Sequence, residues 1–124
     1  MSSTDHIERF AGLPRRTLAG GVTVVEASTG KARRRGLSRL DSLPPDHGLR
    51  IRTVSVHTFG MRFALDLIWL DKQGAVIRVD RAVAPRRLRA CWRARSVVET
   101  VAGHADAFLS AQRLSDEVEG DRGA

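Results

Sequence analysis

Ala64-Leu65-Asp66-Leu67-Ile68-Trp69-Leu70, continued by Asp71-Lys72-Gln73-Gly74 and then Ala75-Val76-Ile77-Arg78-Val79, is the stretch that decides the fold. Its first part is apolar on both alternating faces except at Asp66, which is the pattern of a strand covered on each side. The polar turn that follows ends in a glycine suited to a left-handed conformation, and a second β-prone run comes straight after it. The segment therefore reads as a hairpin whose first strand is central in a sheet.

Working outward, residues 49–101 keep the β pattern. Val54, Val56 and Thr58 fall on one side of a strand, with Ser55, His57 and Phe59 on the other. Gly60 interrupts this run and is read as a bulge. Ser96 to Val101 (SVVETV) is a further strand, stopped by Ala102-Gly103. Between the hairpin and that strand, Arg81 to Arg95 (RAVAPRRLRACWRAR) carries six arginines and no acid. Pro85 opposes a helix there, so the segment reads as an irregular connection.

Upstream, Val22 to Glu26 (VTVVE) is a β-branched strand. Ser28 or Thr29 caps a short helix through Lys31–Leu40, with Leu37 and Leu40 on its inner face and Gly36 weakening it. Asp41 to Gly48 (DSLPPDHG) is a surface loop. Residues 1–20 read as a weakly structured lead-in, residues 21–115 as one domain, and residues 116–124 as an acidic mobile tail. Within the domain, His104–Leu114 has amphipathic helical spacing, with Ala107, Phe108, Ala111 and Leu114 inward. The fold class is mainly β: a compact antiparallel sandwich or barrel-like domain with one or two short helices.

Composition narrows the function. A chain of 124 residues, 42% hydrophobic and 28% charged, has the size and make-up of one globular domain. The lone Cys91 rules out an internal disulfide framework. The N-terminus shows no apolar signal region, and no run approaches the roughly 20 apolar residues of a spanning helix, so a cytoplasmic soluble protein is expected. Net charge is +7, and 19 of the 21 basic residues are arginine. Absence of Asn and Tyr beside abundant Arg, Ala and Gly is the mark of a GC-rich genome, which explains arginine over lysine but not the positive excess.

The run Val56-His57-Thr58-Phe59-Gly60-Met61-Arg62-Phe63-Ala64-Leu65-Asp66, preceded by Gly36-Leu37, a proline loop and Gly48-Leu49, resembles domain-of-unknown-function family 192. Ile68-Trp69-Leu70-Asp71, Gly74, Val76, Arg78-Val79, Pro85-Arg86, Val97-Val98-Glu99 and Ala102-Gly103 extend the resemblance over roughly residues 22–115. It implies a compact, mainly antiparallel β domain and no established reaction, cofactor or substrate. Two departures stand out: residues 111–118 lack the glycine of the family's usual Gly-Asp turn, leaving a final strand missing or frayed. Arg86 also replaces the aromatic that often follows the proline, which moves its packing role to Trp92.

Asp66 most needs a chemical account, because an anion among apolar residues is costly without partners. Arg62, His57 and backbone N–H groups are the candidates, and holding a loop or bulge is the structural alternative to binding or catalysis. His57 is read either as a satisfied structural histidine or as half of a His–Asp acid–base pair. Phe59 and Met61, flanking Gly60, either pack in the core or line an apolar pocket. Glu99 either joins that pocket or pairs with an arginine of 86–95. No Gly-x-Ser-x-Gly elbow is present, His47, His57, His104 and Asp66 lack metal-ligand spacing, and no cofactor is called for.

Three function classes follow. The first is a non-catalytic accessory module binding a small molecule or a protein partner through His57, Phe59, Met61, Arg62, Asp66 and Glu99. The second is nonspecific binding of nucleic acid or another polyanion through Arg33, Arg34, Arg35, Arg86, Arg87, Arg89, Trp92, Arg93 and Arg95. The third is an acid–base hydrolase using Asp66 and His57, which requires the two within hydrogen-bond reach in an open cleft.

Overall fold

A computed structural model describes residues 5–112. The strand that the sequence marks as central is β5 (Leu65–Leu70), and all six of its residues are buried. It lies between β6 (Val76–Val83) and β8 (Ser96–Val101), antiparallel to both. Asp71 shapes the β5–β6 turn: its Oδ1 accepts from the Gln73 and Ala75 N–H groups at 2.8 and 2.9 Å, and Gly74 takes a φ of 83°.

On the far side of β8 come β3 (His47–Ile51), β2 (Thr23–Glu26) and the edge strand β1 (Arg15–Thr17). The six-stranded sheet runs β1-β2-β3-β8-β5-β6. It is open rather than a closed barrel, and it is mixed, because β2 and β3 are parallel. A parallel pair needs a long crossover, which here carries helix α2 (Gly30–Arg35). Thr29 caps α2 by accepting the Ala32 N–H at 3.0 Å, and Gly36 ends it. The helix is thus shorter than the 31–40 span expected from the sequence, although Leu37 and Leu40 are buried as foreseen.

The arginine-rich segment is not the irregular connection its composition suggests. Residues 81–83 extend β6, and β7 (Leu88–Ala90) pairs with β4 (Ser55–His57) in a separate two-stranded sheet. The lead-in departs from expectation as well: α1 (Asp5–Arg9) and β1 are formed, and Phe10 is buried in the core. Backbone pairing and one large apolar side chain order what polar composition left unmarked. A third helix, α3, covers residues 105–112, burying Ala105, Phe108 and Ala111 but leaving Ala107 exposed. Leu114, the glycine-less turn region beyond 112 and the acidic tail lie outside the described residues.

Strand alternation divides the core in two. Leu65, Leu67, Trp69 and Val97 join Leu37, Leu40, Leu49 and Val56 on one face. Ile68, Leu70 and Val98 pack against α3 on the other. Trp69 is the buried tryptophan, its indole N–H donating to Asp80 at 3.0 Å. Trp92, to which a packing role was assigned, is 79% exposed.

Candidate functional site

Asp66 is withdrawn from any open site by the pleat of β5. It alternates with Leu65 and Leu67, faces the α3 side, and is 1% exposed. Its Oδ1 accepts the Ala82 N–H at 2.8 Å, and its Oδ2 accepts the Gly103 and Ala105 N–H groups, each at 3.0 Å. Ala82 sits at a bulge: Leu65 pairs with Val83 but Leu67 with Asp80, and Ala82 takes a φ of 53°. One carboxylate therefore ties the β6 bulge to the first turn of α3. Of the partners considered, the backbone is the one it has, and neither Arg62 nor His57 bonds to it. Arg62 instead pairs with Asp41 at the surface. The Asp66–His57 hydrolase has no geometric basis.

The opposite face of the sheet carries a cleft of about 380 Å³, within the range of small-molecule sites. Arg33, Arg34 and Arg35, in the last turn of α2, line one part of it. Ile51, at the end of β3, and Arg52 and Thr53, just after it, line another, and Ser55, Val56, His57, Phe59 and Met61 a third. His57 and Phe59 point outward because Val56 and Thr58, alternating with them, are buried. Thr58 anchors this rim. Its hydroxyl donates to the Ala84 carbonyl at 2.7 Å and accepts the Arg87 N–H at 2.8 Å. Gly60, with a φ of 82°, is a turn after β4 rather than a bulge within a strand, and its carbonyl accepts the Arg39 N–H. The rings of His57 and Phe59 stand 5.6 Å apart at 44°, and Phe59 is 56% exposed.

Glu99 closes the cleft from below. On β8 it pairs with Leu49 on one side and Leu67 on the other, both in the core. It is 4% exposed, and its Oε1 has no hydrogen-bond partner. No arginine of 86–95 reaches it, so the expected ion pair is absent. Burial pushes its carboxyl up to about 7, against the pull of a hydrogen bond from the Leu37 backbone. Gly36 makes room for it: a Cβ there would stand 3.2 Å from Glu99 Oε1. The Gly36 carbonyl is in turn held by Arg9 of α1 at 3.1 Å.

The cleft thus unites His57, Phe59, Met61 and Glu99 with Arg33, Arg34 and Arg35, which the sequence had placed in two separate groups. Asp66 faces away from it, and Arg62 does not line it. Arg86, Arg87, Arg89, Trp92, Arg93 and Arg95 do not line it either. Trp92 and Arg93 border a different depression beside Ile77 and Arg78, and Arg95 another beside Asp71. Sequence reasoning missed Arg52 and Gly36. Arg52 had a legible signal, the alternation Arg50-Ile51-Arg52, whereas Gly36 reads from the sequence as a helix breaker and as part of the family resemblance, neither of which places it against Glu99. Among the described residues no three His, Cys, Asp or Glu side chains gather to hold a metal, and no helix is long and apolar enough to cross a membrane.

Comparison with solved structures returns the same fold. A Sinorhizobium meliloti protein described as a "putative transcription regulator" superposes with a TM-score of 0.64 at 21% identity, over 76% of this chain and 82% of its own. A Novosphingobium aromaticivorans protein of unknown function gives 0.61 at 13% identity, over 78% and 87%. No curated protein matches the chain. The model of the family described as "Uncharacterized ACR", domain of unknown function 192, matches residues 14–111, and by that match the chain belongs to this family.

Proposed function

We propose that the protein is a non-catalytic binding module whose cleft takes a small organic anion. The observation that carries this is the unpartnered Oε1 of buried Glu99 at the base of an open cleft whose other charged side chains are Arg33, Arg34, Arg35 and Arg52. A buried polar atom without a partner is costly, and a ligand donor arriving there removes that cost. The arginines favour an anionic group, and Phe59, Met61 and Val56 favour an apolar body between the two. A single buried thiol, Cys91, suits a reducing compartment, and we place the module in the cytoplasm.

The test is thermal unfolding with phenyl phosphate, benzoate and, as a cationic control, benzamidine, with binding localised by amide chemical shifts. The expected result is stabilisation by the anions with shifts at residues 33–38, 51–61 and 99, lost on replacing Arg33, Arg34 and Arg35 by alanine. Stabilisation by benzamidine alone, or shifts elsewhere, would refute it.

A second reading, polyanion binding at the β7 side, is favoured by Trp92 at 79% and Leu88 at 67% exposure beside exposed Arg86, Arg87 and Arg93. The transcription-regulator description of the Sinorhizobium protein points the same way. Salt-sensitive binding of single-stranded DNA that Trp92→Ala weakens would support this reading over the cleft.

A further inference from the structure

We infer that the cleft selects a nucleoside monophosphate whose base bears an exocyclic amino group; this rests on the small-anion reading above and names its ligand class. Three observations meet. Phe59 presents an exposed ring, backed by the ring of His57 at 5.6 Å, on which a flat heterocycle can stack. Glu99 offers one unpartnered oxygen in an almost wholly buried setting, where an N–H donor on the edge of a base completes its hydrogen bonding. Carboxylates take amino groups of bases in this way. Arg33, Arg34 and Arg35 supply a clustered positive rim for a phosphate.

Other small anions satisfy only part of this set. A sugar phosphate leaves the Phe59 ring uncovered, and an aromatic acid without an N–H leaves Glu99 Oε1 unpaired. A nucleoside without phosphate forgoes the arginines.

The experiment titrates the 124-residue chain with adenosine 5′-monophosphate, ribose 5-phosphate, adenosine and purine riboside 5′-monophosphate, which lacks the amino group. Amide shifts and calorimetry are followed. The expected result is saturable binding of adenosine 5′-monophosphate at the cleft, at least tenfold tighter than each of the other three, and weakened about tenfold by Phe59→Ala. Because Phe59 is a surface side chain, that variant folds, and its unfolding curve verifies it. Equal binding of ribose 5-phosphate, or an unchanged affinity in Phe59→Ala, overturns the nucleotide assignment while the small-anion reading stands. Equal binding of purine riboside 5′-monophosphate overturns the role given to Glu99. If phenyl phosphate shifts the cleft and adenosine 5′-monophosphate does not, the nucleotide class alone fails. If neither does, both proposals fail.

Discussion

Gly36 and Glu99 occupy one another's space: a Cβ on residue 36 would lie 3.2 Å from Glu99 Oε1 and 3.7 Å from Ile51 Cδ1. The backbone at Gly36 adopts φ 51° and ψ −131°, a region that side chains strongly disfavour. The glycine that ends α2 therefore also admits the buried acid to the base of the cleft.

Gly36→Ala is expected to cost about 1–3 kcal/mol, from backbone strain joined to crowding of the carboxyl. Denaturant titration measures it, and a loss under about 0.5 kcal/mol would show that the turn relaxes freely.

Glu99 makes stability depend on pH. Its folded value is raised from 4.5 to about 7, so between these limits the folded state holds more protons than the unfolded chain. Its contribution is fully present below about 4.5, declines as pH rises through 7, and is lost above. The shift corresponds to about 3 kcal/mol. Glu99→Gln should flatten the decline between pH 5 and 8 and be the more stable form at pH 8. Parallel unfolding curves for the two proteins across this range would contradict the assignment.

Asp66→Asn is expected to destabilise by about 3 kcal/mol or more, because an amide cannot accept all three of the Ala82, Gly103 and Ala105 N–H groups. Hydrogen exchange should quicken at the β6 bulge and the start of α3. Ligand affinity of the folded fraction should stay the same, since Asp66 lies on the face opposite the cleft. A variant that kept its stability but lost affinity would reverse this view.

At Gly48 the constraint is packing alone. A Cβ there would meet Val98 Cγ1 at 2.7 Å and Phe108 at 3.1 Å, with no strained dihedral involved. Gly48→Ala should cost about 1–3 kcal/mol by prying the sheet from α3. Combining it with Phe108→Leu should recover part of that loss, which a double-mutant cycle would register.

Much of the architecture was legible because it rests on local periodicity. The doubly apolar run at Leu65–Leu70 announced the central strand, and Asp71 to Gly74 announced its turn. Arg81 to Arg95 misled because β7 is stabilised by pairing with β4, a contact between distant segments that arginine-rich composition does not reveal. The parallel β2–β3 pair and the core position of Phe10 were hidden for the same reason.

What the sequence by itself determined is the central β5–β6 hairpin, the mainly β class, the placing of His57 and Phe59 on the side of their strand opposite Val56 and Thr58, and the presence of two carboxyls that need explaining. Tertiary structure alone decided which carboxyl faces an open cleft. Asp66 and Glu99 sit on neighbouring strands, where Leu67 pairs with Glu99 and Asp66 with Thr100. That single step of register sends the two side chains to opposite faces of the sheet. One meets three backbone N–H groups at the start of a helix and the edge of a bulge, while the other meets a glycine and an open cleft. Both stand inside strand-forming runs, Asp66 between Leu65 and Leu67 and Glu99 between Val98 and Thr100, and neither run says which face is covered; strand pairing and what covers each face do.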